Sequence, residues 1–124
     1  MDATLPDELQ LLQRSVRAFV EEQLVPRGEE IEKSDRIPRD VIDAMAGMGL
    51  FGIGFPEDVG GQGFGKLGYC VAVEQLARAN ASLWNVIGGS AGLCGTAIDM
   101  GGPDELRARY LPDLLSAKRI GAYA

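Results

Sequence analysis

The chain has 124 residues, with 18 acidic and 12 basic side chains, a net charge of -6 and no histidine. This length reads as one domain, 1–124, able to bury roughly two-thirds of the surface that its unfolded chain exposes. The charge balance excludes a general nucleic-acid surface, which needs clustered Lys and Arg. The missing imidazole excludes Ser-His-Asp and Cys-His catalysis and nearly every histidine-built zinc site.

Leu9, Leu12, Val16, Phe19 and Val20 recur at steps of three and four, while Glu8, Arg14, Arg17, Glu21 and Glu22 fill the other face. This predicts an amphipathic helix running from Leu5. Pro6, Asp7 and Glu8 suit its opening turn, where proline loses no needed donor and acids offset the dipole. Pro26 is expected to kink or end it near Leu24 to Val25, with 27–36 as a solvated continuation or a loop. Pro38 restarts a helix with Val41, Ile42, Met45 and Met48 facing inward, and Gly49 supplies a left-handed residue past its end.

Residues 47–65, GMGLFGIGFPEDVGGQGFG, hold eight of the 17 glycines beside Leu50, Phe51, Ile53 and Phe55. A solvated linker would not carry those apolar residues, so the loop is predicted to follow a fixed path against the core. Lys66 to Ala79 reads as a central helix, apolar on most sides, with Glu74 placed to pair with Arg78. Ser82 is expected to cap a fourth helix, Leu83 to about Met100, whose interior carries Gly88, Gly89, Gly92 and Gly95. Each of these costs about 1 kcal/mol relative to alanine, so the backbone must approach another helix or a ligand closely.

Gly101, Gly102 and Pro103 end that helix and start the next, through Leu106, Tyr110 and Leu111. Pro112 is expected to open a last short helix, Leu114 to Lys118, and Ile120 to Ala124 reads as an unpaired strand. The predicted fold is all-α, an orthogonal or up-down bundle of about five to six helices with a C-terminal strand stub.

Two motifs match catalytic signatures in letters only. Gly47 to Gly52 fits GxGxxG but closes a helix, where a dinucleotide site needs a strand before it and a helix after it. Gly88 to Gly92 fits GxSxG around Ser90, with no histidine base and no sheet to present the turn, so Ser90 reads as a small residue inside a helix. Glu57 and Asp58 read as solvated turn residues. No catalytic residue and no metal site is assigned.

Cys70 and Cys94 lie in apolar runs without partners at metal spacing, which predicts buried thiols in a reduced, cytoplasmic protein. No secretory signal is expected at the N-terminus. Leu83 to Ile98, with its polar residues and glycines, is too short and too polar to cross a membrane.

From Pro6 onward the chain resembles the N-terminal helical domain of the acyl-CoA dehydrogenase family. The resemblance rests on SVRAFVEEQLVPRGEEIEKSDRIPRDVIDAMAGMGLFGIGFPEDVGGQG, VEQLARANASL, GGPDELRARYLPDLLSAKR and the closing GAYA. It implies removal of two hydrogens across the α,β bond of an acyl-CoA thioester, with FAD as electron acceptor and the base on a C-terminal domain.

Family members are about three times longer, and a Thr-Glu…Gly-Ser-Asp segment that cradles the flavin follows GAYA in them. By resemblance, Asn85, Val86, Gly89 and Leu93 lie near the acyl substrate, Tyr123 touches FAD, and Gly88 and Gly89 leave room for a bulky or branched acyl group. The partners implied are acyl-CoA, the rest of the dehydrogenase chain and further copies in a homo-oligomer. The isolated domain is expected to be inactive, to bind no FAD and to expose an apolar face. Acyl-CoA oxidases and flavin monooxygenases carry the same domain, and a stand-alone helical module that completes a partner subunit is the reading from another class.

Overall fold

The computed structural model describes residues 4–124, which form an all-α fold with no strand among the described residues. The helices are α1 (Asp7–Phe19), α2 (Gly28–Ser34), α3 (Arg39–Gly47), α4 (Gly65–Ala77), α5 (Ala81–Ile87), α6 (Thr96–Gly101) and α7 (Asp104–Leu115). They make five helical bodies, because α1 runs on into α2 and α5 runs on into α6.

The first junction shows how Pro26 is absorbed. Val20–Leu24 forms a π-turn in which the Val25 N–H reaches the Val20 carbonyl five residues back, and Val25–Arg27 forms a 3-10 turn. The wider turn accommodates a residue that has no N–H to give and whose ring crowds the carbonyl of the preceding turn. Regular α geometry thus gives way near Leu24–Val25, as expected, and helical structure resumes in α2. Its charged run is tied down by Ile31, which is buried. Arg27 clamps this junction to the start of α3, its Nη1 2.8 Å from Asp40 Oδ2 and its Nε 2.5 Å from Glu30 Oε2. Hydrogen bonding to the guanidinium holds both carboxyls below the usual carboxylate range.

The core lies between α1, α4, α5 and α7, with Val16, Val20, Leu24, Met45, Leu76, Leu83, Ile87 and Leu111 almost completely buried. The glycine-rich connection between α3 and α4 folds into this core as expected, with Leu50, Phe51, Ile53 and Phe55 all buried. Its backbone satisfies itself: Gln62 N–H donates to Gly52 O (2.9 Å), Gly63 N–H to Phe55 O (2.8 Å) and Phe64 N–H to Ile53 O (3.1 Å). Such internal pairing is what lets an irregular segment be buried. Gly49 and Gly60 take positive φ there, at 72° and 94°.

Other expectations need correction. Met48 is 38 % exposed, because α3 ends at Gly47 and the chain turns away. In α4, Leu67 and Cys70 face outward, so this helix is buried on one side only. Cys94 is half-buried, and neither thiol is sealed in the core. Arg78 approaches Glu21 of the first helical body at 3.7 Å in place of Glu74, an exposed contact of small energetic weight. The cap of α5 is Asn80, whose Oδ1 accepts from Ser82 N–H at 2.8 Å. Pro112 sits inside α7, where it removes the donor that would have served the carbonyl of Ala108, an exposed residue. The tail after Lys118 has no regular structure.

One glycine in the α3–α4 connection is there for space. A Cβ built on Gly61 would stand 2.1 Å from the Phe55 carbonyl oxygen, whereas one on the exposed Gly47 would meet nothing. Gly61→Ala is expected to lower stability by about 3 kcal/mol in urea unfolding of the 124-residue chain, and Gly47→Ala to leave it unchanged or slightly raised.

Candidate functional site

The run from α5 through Gly88–Gly95 to α6 is continuous, and its middle is a π-segment, with the Thr96 N–H reaching back five residues to Ala91 O. Beside it opens a cleft of about 590 Å³. One wall comes from this run: Trp84, Asn85, Gly88, Gly89, Gly92, Leu93, Thr96, Asp99 and Met100. Gly54, Phe55 and Pro56 of the α3–α4 connection and Lys66 and Tyr69 of α4 supply the other.

The spacing of the first wall is a consequence of the π geometry. Residues 84, 88, 92, 96 and 100 are four apart, and in an ordinary α-helix each such step drifts by about 40° around the axis. Four steps would carry Met100 far from Trp84. Closing turns over five residues cancels much of that drift and keeps the stripe on one side.

The interior glycines divide by use. A Cβ on Gly95 would stand 3.2 Å from the tip of the Phe55 ring, and one on Gly92 3.3 Å from the Tyr69 hydroxyl. A Cβ on Gly88 would meet the Tyr69 hydroxyl at 3.4 Å and the Trp84 ring at 3.5 Å. These three seat aromatic rings. Gly89 alone of the four has nothing within 4 Å of its Cβ position and opens to space.

Of the residues expected at a substrate site, the cleft brings together Asn85, Gly89 and Leu93. Val86 lies one step round the helix, half-buried against the core. Sequence reading missed Tyr69, Phe55, Trp84 and Met100. A period of 3.6 does not collect 84, 88, 92, 96 and 100, and only the glycines, read as a π-segment, would have signalled the stripe.

The chemistry available in the cleft is binding chemistry. Its one carboxylate, Asp99, is gripped by Arg107, with Nη2 at 2.7 Å and Nε at 3.1 Å. The Tyr69 hydroxyl makes no hydrogen bond among the described residues, and burial pushes its pKa up, keeping it a neutral donor. No cluster of three or more metal-ligating side chains occurs among the described residues. No helix among the described residues is long and apolar enough to cross a membrane.

Residues 6–118 match the family model for the acyl-CoA dehydrogenase N-terminal domain. The chain belongs to this family. It is 32 % identical over 123 residues to the short-chain-specific acyl-CoA dehydrogenase of Clostridium acetobutylicum, covering 99 % of this chain and 32 % of that one. It is 34 % identical over 120 residues to mitochondrial isovaleryl-CoA dehydrogenase of Solanum tuberosum, covering 95 % and 29 %. The fold superposes on glutaryl-coenzyme A dehydrogenase, solved as its glutaryl-CoA complex, with a TM-score of 0.92 at 32 % identity over 98 % of this chain and 31 % of that one. The chain thus spans about a third of the length of these family members.

These residues by themselves do not fit a whole flavin. Tyr123, expected at such a cofactor, stands 69 % exposed on the irregular tail.

The tail is nevertheless held at its root. Gly121 N–H donates to the buried Ser90 Oγ at 2.9 Å, so the serine of the GxSxG string is an anchor for the segment that carries Tyr123. Ser90→Ala leaves that partly buried donor without a partner and is expected to cost about 1–2 kcal/mol. Amide hydrogen exchange should quicken at Gly121 and stay unchanged in α1.

Proposed function

We propose that this chain is the N-terminal domain, 1–124, of a flavin-dependent acyl-CoA dehydrogenase, in which it walls the acyl pocket and is inactive alone. The observation that carries the reading is the cleft itself. It is open, lined by apolar rings and by the backbone at Gly89, and its one carboxylate is already committed to Arg107.

Binding and orientation are the work such a wall performs. Phe55, Trp84, Leu93 and Met100 offer an apolar tail about 25 cal/mol for each Å² they cover, and water leaves as they do so. The Asn85 amide gives one donor group and one acceptor at the rim. The reacting carbons, the FAD and the base would belong to the longer protein.

The exposed apolar residues fit the same reading. Outside the cleft, Leu67 and Tyr123 are uncovered in this chain and would be covered by the remaining dehydrogenase domains or by further copies in a homo-oligomer. Two unpaired thiols support a reducing compartment, the cytoplasm.

Gly89, with open space before it, is the place where a branched acyl group would fit; at Gly88 that room is taken by Tyr69 and Trp84. In the full-length protein, acyl-CoA is expected to bleach the flavin absorbance, while the 124-residue chain alone retains no FAD and turns over nothing. Gly89→Leu should lower kcat/KM for branched over short straight acyl-CoA by roughly tenfold, since lost methylene-sized contacts and a clash combine. An unchanged ratio would count against the assignment of Gly89.

A further inference from the structure

The Tyr69 side chain lies along glycines at both ends. At its root, a Cβ on Gly54 would lie 3.3 Å from Tyr69 Cβ. At its tip, Cβ atoms on Gly88 and Gly92 would lie 3.4 and 3.3 Å from the hydroxyl. The ring therefore spans from the α3–α4 connection to the π-segment, half-buried, across ground that is part of the cleft lining. Gly88 and Gly92 of the π-segment leave room for this ring.

Resting on the function proposed above, we infer that Tyr69 is a specificity-determining residue whose ring limits the size of acyl group that the cleft admits. The ring fills volume continuous with the cleft, so its bulk sets how much remains for an acyl tail. In a close-packed wall, volume held by the ring is volume denied to a longer tail. The inference concerns ring volume. The hydroxyl, which has no partner among the described residues, is the competing source of selectivity, through a hydrogen bond to an oxygen on the acyl group.

The test uses the full-length protein and straight-chain acyl-CoAs from butanoyl to dodecanoyl, with kcat/KM measured for each. Tyr69→Ala should raise the ratio of long to short substrates by about four-fold for each further methylene accommodated, roughly tenfold or more in total. Tyr69→Phe should keep the wild-type ratio within about twofold, because it keeps the ring. Gly92→Ala, whose methyl crowds the hydroxyl and narrows the cleft, should shift preference toward shorter chains. It carries the test if Tyr69→Ala loses flavin or melts early.

A wild-type ratio in both Tyr69→Ala and Gly92→Ala would overturn the inference. So would a Tyr69→Phe shift as large as that of Tyr69→Ala, which would assign the selectivity to the hydroxyl. A wild-type protein that turns over no acyl-CoA at all would overturn the parent function, and this inference with it.

Discussion

The seating of two aromatic rings on a glycine-lined π-segment is the contact on which the candidate site depends. Phe55 comes from the α3–α4 connection and Tyr69 from α4, and both end against the small residues of 88–95. A Cβ at 92 or 95 would press the Tyr69 or Phe55 ring back by a few tenths of an ångström, so these glycines let both rings lie close against the segment. The energetic cost of glycine in a helix is thus offset by aromatic burial.

Much of this architecture was legible in the sequence, and for identifiable reasons. The α1 stripe, the Pro38 restart and the left-handed Gly49 follow from periodicity and local backbone sterics, which act over a few residues. The burial of the α3–α4 connection was readable because each of its four large apolar side chains, left in water, would forgo roughly 1.5–3 kcal/mol. Regular α geometry gives way at Leu24–Val25, where Pro26 was expected to kink or end the helix, whereas the new helix expected at Pro112 is absent and α7 runs through that proline.

The site was legible only in part. Asn85, Gly89 and Leu93 are four apart, a spacing that a helix of either kind keeps roughly together, and the family resemblance pointed to them. Tyr69 shows what the resemblance did not give, because its place depends on a contact between elements about 20 residues apart in the chain. The outward placement of Cys70 and Leu67 likewise reflects a helix that lies at the edge of this domain. Composition alone made that helix look central.

The π-segment has a consequence for how the length of this wall can vary. A π-turn holds more residues than an α-turn, so a single deletion within 88–95 can be absorbed where it occurs, by tightening one wide turn to α geometry. The helix on either side then keeps its phase, with Thr96, Asp99 and Met100 still on the cleft side and Asp99 still aligned with Arg107. The same deletion within α5 has no surplus residue to draw on, and everything beyond it would turn by about 100° about the axis. The wide turns therefore act as slack, placing tolerance for a change of chain length in the middle of the wall and leaving its two ends strict.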